Sequence, residues 1–119
     1  VYVPIGMGSG ICGLISTRDL LGLSTKIVGV VAGRAPAVAL SFEQRTLVPT
    51  NSAATFADGM ACREPVAEPI EIICRGADRI VRVSEDEMAD AMRAYYEDTH
   101  NLTEGAGAAA LAALMQERD

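Results

Sequence analysis

A chain of 119 residues holds one modest domain with a single core. Half of its residues are hydrophobic but only 4% are aromatic, a mixture that suits helices packed closely on a sheet better than an all-β sandwich. The formal net charge of −6 and the singly spread arginines speak against nucleic acid, and no apolar run approaches the ~20 residues needed to cross a bilayer.

In chain order, Val1 to Ile5 is a short β-rich run, broken by Gly6-Met7-Gly8-Ser9-Gly10. Ile11 to Leu21 then carries apolar residues at helical spacing (Ile11, Leu14, Ile15, Leu20, Leu21), with Gly22 placed to cap its end. Thr25 to Val31 reads as a second strand. Its continuous apolar run suits a parallel strand buried on both faces, so the first unit is a right-handed βαβ crossover. A short helix is expected over Pro36 to Gln44, a loop over Val48 to Asn51, and another short helix over Thr55 to Cys62. Pro65 and Pro69 open a helix over Ile70 to Arg75, which Gly76 ends. Arg79 to Val83 alternates as a third strand. Ser84 and Glu87 then spell a capping box for a helix reaching about Asp98, with Met88, Ala91, Met92 and Tyr95 on one face. Glu85, Asp86 and Glu87 are expected to form a solvated first turn. Thr103 to Gln116 closes the chain as an Ala-rich helix. Because Val1 falls inside a strand pattern, the chain is expected to be part of a larger domain.

The chemistry-bearing pattern is Gly6-x-Gly8-x-Gly10-x-x-Gly13, between a strand and a helix. Glycines let backbone amides converge on an anion without a Cβ in the way, and a helix N-terminus adds about half a positive charge. Ser9 adds a hydroxyl. A plainer reading is that these glycines only permit a tight turn and close helix–sheet contact. Gly8-x-Gly10-x-x-Gly13 also fits the dinucleotide fingerprint formally, but that fold asks for an acidic residue at the end of the second strand. Here the strand runs into Ala32-Gly33-Arg34, so an NADP 2′-phosphate on Arg34 stays open as an alternative.

Three cysteines, Cys12, Cys62 and Cys74, show no metal-binding or redox spacing, which points to reduced thiols and a cytoplasmic setting. Cys12, in the helix behind the loop, reads as a packing residue, with a reactive thiol as the alternative because helix N-termini depress thiol pKa. The single histidine, His100, precludes a multi-His metal site within the chain and reads as a helix-end residue.

Val3-Pro4-Ile5-Gly6-Met7-Gly8-Ser9-Gly10-Ile11-Cys12-Gly13 resembles the Val-Pro-Val and four-glycine run of threonine dehydratases and serine racemases, with Met7 and Ser9 in place of two glycines. The resemblance continues through Ile27-Val28-Gly29-Val30, Ala57-Asp58-Gly59, Val83-Ser84-Glu85-Asp86-Glu87 and Glu104-Gly105-Ala106-Gly107-Ala108-Ala109, in order over almost the whole chain. It implies a parallel α/β sheet with packed helices: part of the large, coenzyme-binding domain of a type II pyridoxal-phosphate enzyme. It also implies that Gly6, Met7, Gly8, Ser9 and Gly10 hold the coenzyme phosphate, with Gly59 and Glu104 nearby and Asp58 as a further candidate. Some family members bind a divalent cation through a Glu directly after the Val-Gly-Val strand. Val31 stands there, so no metal is expected.

The same resemblance sets the expected activity: removal of water and ammonia from L-threonine or L-serine to give a 2-oxoacid, in a homo-oligomer. Serine racemization is the nearby alternative, and an NADP-binding module or a domain kept only for assembly are the distant ones. The family's chemistry needs a lysine upstream of the glycine loop and a Ser or Cys against the coenzyme's ring nitrogen downstream of the Ala-rich helix. The only lysine, Lys26, starts the second strand, at the opposite end of the sheet from the ligand edge. It is expected to be a surface residue, no catalytic residue is assigned, and the chain alone is expected to be inactive.

Overall fold

The computed structural model describes residues 1–118. Three parallel strands form one sheet: β1 (Tyr2–Pro4), β2 (Val28–Ala32) and β3 (Arg79–Val83), in the order β1-β2-β3. Val3 pairs with Gly29, and Val30 with Val81. Because all three strands run the same way, Pro4, Ala32 and Val83 end at a common carboxyl edge. Every residue of the central strand β2 is buried, as its unbroken apolar run implies.

Helices cover both faces. Val28, Val30, Val81 and Val83 point to one side, against α4 (Glu85–Thr99) and α5 (Gly105–Glu117). Alanines from α5 let that helix lie close. Val3, Val31 and Ile27 face the other side, against α1 (Ser9–Leu20), α2 (Ala37–Gln44) and α3 (Ala67–Gly76). Gly29 belongs to this second face because a Cβ there would come within 2.6 Å of the Ile5 Cδ1. No described helix is long and apolar enough to cross a membrane.

Several expectations are corrected. α1 begins at Ser9, two residues before the apolar periodicity, so Gly10 is helical. Its end is as expected: Gly22 has φ 63°, and the Leu23 and Gly22 amides bond the carbonyls of Arg18 and Asp19 at 2.9 and 3.2 Å, a Schellman closure. The second strand begins at Val28 rather than Thr25; ahead of it only single bonds are made, from the Val1 amino group to the Lys26 carbonyl and from the Asp78 amide to the Ile27 carbonyl, each at 2.8 Å.

The helix expected over Thr55 to Cys62 shrinks to a single 3-10 turn, η1 (Asp58–Met60). Its bonds are local, Met60 amide to Ala57 carbonyl and Ala61 amide to Asp58 carbonyl, while Ala57 and Met60 are drawn into the core. α3 starts earlier than Ile70 because Pro69 falls in its first turn, where no donor is needed. Gly76 does not terminate that helix by a left-handed turn. It is the last helical residue, and a Cβ on it would collide with the Ile15 side chain.

The capping box forms: the Glu87 amide donates to Ser84 Oγ at 3.2 Å, and the Ser84 amide donates to Glu87 Oε2 at 2.6 Å. Of the expected solvated turn, Asp86 is exposed, but Glu85 is turned inward and accepts from the Phe56 amide at 2.9 Å. His100 ends α4 in the left-handed region at φ 58°.

Candidate phosphate-binding site

The loop after β1 lies on the carboxyl edge. Gly8 is the N-cap of α1 with φ 106°, and no side chain caps the helix. The first intrahelical donor is Cys12, whose amide meets the Gly8 carbonyl at 3.0 Å. The amides of Gly6, Met7, Gly8, Ser9 and Gly10 have no acceptor among the described residues. Met7, Ser9 and Gly10 are exposed, and the first turn carries no acidic residue. Unpaired donors at the positive end of a helix make an anion cup.

The glycines divide by purpose. A Cβ on Gly6 would collide with the Gly59 carbonyl, and one on Gly8 would lie 3.0 Å from Pro69 Cβ, so both need to be small for packing as well as turning. A Cβ on Gly10 or Gly13 would meet nothing within 4 Å, so close helix–sheet contact does not account for them. The plainer reading therefore covers Gly6 and Gly8 but not Gly10.

The turn η1 brings Asp58 and Gly59 beside the loop. Gly6, Met7, Asp58, Gly59, Ala61 and Cys62 line a small pocket of about 110 Å³. Met7 Sδ lies 3.7 Å from Cys62 Sγ. Gly59 in turn packs on Ala106 in the first turn of α5, where a Cβ would sit 3.2 Å from the Ala106 methyl. Glu104 is thus in the next layer, and its carboxylate is already engaged: Oε2 and Oε1 accept from the Ala106 and Gly107 amides at 3.0 Å each. It caps its own helix, at the end that packs on Gly59.

Lys26 falls away from the cup, and the two thiols near it, Cys12 and Cys62, are not activated. Lys26 lies at the amino edge, 78% exposed, with Nζ 3.7 Å from Asp78 Oδ1. A larger cavity of about 360 Å³ also opens at that edge, among Arg18, Lys26, Arg75 and Asp78. There the helix C-termini present carbonyls rather than free amides. Cys12 is no activated thiol: burial, and then the nearby Glu68 charge, push it up. Burial likewise raises the Cys62 thiol, partly offset by a hydrogen bond from the Glu64 backbone. Val31 is buried in the core and offers no ligand. Arg34 is exposed on the turn after β2. The inward carboxylate of Glu85 left no trace in the sequence, since an acidic residue in a first helical turn is ordinarily read as a solvated one.

A parallel sheet flanked by helices, with unpaired amides among the described residues at a helix N-terminus on its carboxyl edge, defines an α/β domain with a candidate anion site. The family model described as pyridoxal-phosphate dependent enzyme matches residues 1–119, and the chain belongs to that family. It is 36% identical over 118 residues to the L-threonine ammonia-lyase of Geobacter sulfurreducens, covering 99% of this chain and 29% of the relative. To the catabolic L-threonine dehydratase TdcB of Escherichia coli it is 35% identical over 115 residues, covering 97% of this chain and 35% of the relative. Among solved structures, a T.th. threonine deaminase superposes with a TM-score of 0.92 at 26% identity, covering 98% of this chain and 43% of that one. Maize serine racemase gives a TM-score of 0.92 at 25% identity, covering 98% and 35%. The chain spans about a third of the length of the curated relatives it matches. The family's coenzyme is pyridoxal phosphate.

Proposed function

We propose that this chain is the phosphate-holding portion of a threonine (or serine) dehydratase, which converts L-threonine or L-serine to a 2-oxoacid and ammonia. The observation that carries the reading is the run of unpaired amides from Gly6 to Gly10 at the uncapped start of α1. In this reading Gly6, Met7, Gly8, Ser9 and Gly10 hold the coenzyme phosphate through main-chain donors, and the Ser9 hydroxyl adds one more. Gly59 walls the cup, and Glu104 fixes the end of α5 behind it. A dianionic phosphate gains both charge-assisted hydrogen bonds and the helix dipole there.

The coenzyme, once bound, supplies an electron sink for the carbanion at the substrate's α-carbon. The described residues anchor and orient; none of them is placed to move the α-proton, because the sole lysine lies at the far edge of the sheet. No metal takes part in this reading. The small amino-acid substrate, a homo-oligomeric assembly and a cytoplasmic setting complete it, the last supported by three free cysteines.

The test uses the full-length protein that carries this chain. Pyridoxal phosphate is expected to bind at least about a hundredfold more tightly than pyridoxal, which lacks the phosphate. Release of 2-oxoacid from L-threonine and L-serine, alongside chiral analysis for D-serine, separates dehydration from racemization. Equal affinity for the two coenzyme forms would remove the cup from the reading.

A further inference from the structure

We infer that Glu85 is a positioning residue for the phosphate cup, holding the turn that carries Gly59 against Gly6. This rests on the reading of that cup as the coenzyme's phosphate site.

Glu85 is the first residue of α4, directly after the Ser84 cap at the end of β3. An acidic side chain in that place ordinarily faces water, where it needs only the helix dipole. Here Oε2 accepts from the Phe56 amide at 2.9 Å, and Oε1 is buried with no hydrogen-bond partner. The carboxylate has been drawn inward toward a segment 29 residues away. A side-chain oxygen held in place by its own burial is suited to fixing a main-chain donor.

That segment needs fixing. η1 is a single 3-10 turn, and its bonds run within itself: Ala57 amide to Thr55 Oγ1 at 3.1 Å, Met60 amide to Ala57 carbonyl at 2.9 Å. Among the described residues, no other hydrogen bond from residues 55–61 reaches a helix or strand of the domain. The turn is otherwise held by contact alone. The Phe56 ring lies over Gly105, where any Cβ would collide with it, and Ala57 packs beside the same glycine. Downstream, the Gly59 carbonyl presses on Gly6 so closely that no Cβ fits between them. The Phe56 amide therefore sits between the one polar tether to a regular element and the wall of the cup. Loosening it lets Gly59 withdraw from Gly6, and the first amide of the cup loses its fixed direction.

Residue-resolved hydrogen exchange on the full-length protein without coenzyme, paired with titration by pyridoxal phosphate, tests this. Glu85→Ala is expected to speed exchange at Phe56 by at least about tenfold, and to weaken coenzyme binding by about tenfold. Glu85→Gln keeps an acceptor oxygen and is expected to stay within about threefold of wild type on both readouts. Asp86→Ala removes a neighbouring first-turn charge and is expected to change neither. The inference is overturned if Glu85→Ala leaves both quantities unchanged, or if Glu85→Gln is as damaging as Glu85→Ala. Should Glu85→Ala not fold, wild type alone decides: a Phe56 amide that exchanges as fast as an unprotected one overturns the tether, and a protected one supports it. If wild type binds no pyridoxal phosphate, the coenzyme reading fails, while the exchange at Phe56 still reports on the tether.

Discussion

At the scale of single residues, the glycine loop shows why identical side chains are present for different reasons. Gly6 and Gly8 are demanded by backbone contact and by φ 106°, whereas Gly10 sits in ordinary helical conformation with open space beside it. Alanine in a helix is more favourable than glycine by about 0.5–1 kcal/mol, so Gly10→Ala is expected to stabilise the coenzyme-free protein by that amount. It is also expected to weaken pyridoxal phosphate binding, since a methyl group at the second helical residue crowds the approach to the cup. Thermal melting of the apoprotein and a coenzyme titration check both halves. Gly13→Ala, one turn further in, is the control, expected to share the gain in stability and leave affinity alone. Loss of affinity in both variants, or in neither, would remove Gly10 from the site. Glu104 shows the opposite case: a residue expected near the coenzyme spends both carboxylate oxygens on its own helix end.

At the scale of elements, the caps decide where helices stop. α4 starts on the Ser84–Glu87 box and stops at His100, whose φ of 58° costs a residue with a Cβ about 1–2 kcal/mol. Glycine pays no such strain but gives up some rigidity in the unfolded chain. His100→Gly is accordingly expected to raise stability by about 0.5–1 kcal/mol, read as a higher denaturant midpoint with unchanged slope. An unchanged or lower midpoint would mean that the His100 side chain makes a contribution its exposed position does not reveal.

At the scale of the whole molecule, the amino edge of the sheet is fastened by charge. Arg79 donates to Glu117 through Nε at 3.0 Å and Nη2 at 2.5 Å, and the Tyr2 hydroxyl donates to Glu117 Oε2 at 2.7 Å. One carboxylate thereby joins β1, β3 and the last turn of α5. The Arg79 hydrogen bonds, then that of Tyr2, lower Glu117 from 4.5 to about 2. A group depressed in the folded state stabilises it above its unfolded value and loses that effect as pH falls toward the folded one. Stability is therefore expected to decline as pH drops from about 4.5 to about 2. Glu117→Gln is expected to flatten that decline in acid denaturation followed by circular dichroism. Glu87, lowered chiefly by the Ser84 backbone hydrogen bond, contributes in the same direction and will leave a residual slope. At this same edge, Lys26 is too far from the cup to attach the coenzyme. Borohydride reduction of the chain with pyridoxal phosphate is expected to leave no specific adduct on Lys26, as mass spectrometry of its peptides would show.

What the sequence by itself determined is what local chemistry specifies: the buried parallel strand β2, the glycine cap of α1 at Gly22, the capping box at Ser84, and the strand–glycine–helix order that resembles the pyridoxal-phosphate family. Periodicity, caps and spacing are properties of neighbours in the chain, so they can be read there. Only the tertiary structure decided that Thr55 to Cys62 is a single pinned turn, that Gly76 is small because Ile15 lies against it, and that Glu85 faces inward. It also decided that Glu104 caps a helix and that the Gly6–Gly10 amides have no partner among the described residues. Each of these depends on which groups from distant segments arrive at the same place. A backbone donor's partner, or a glycine's missing Cβ, acquires its meaning only when the neighbouring surface is present.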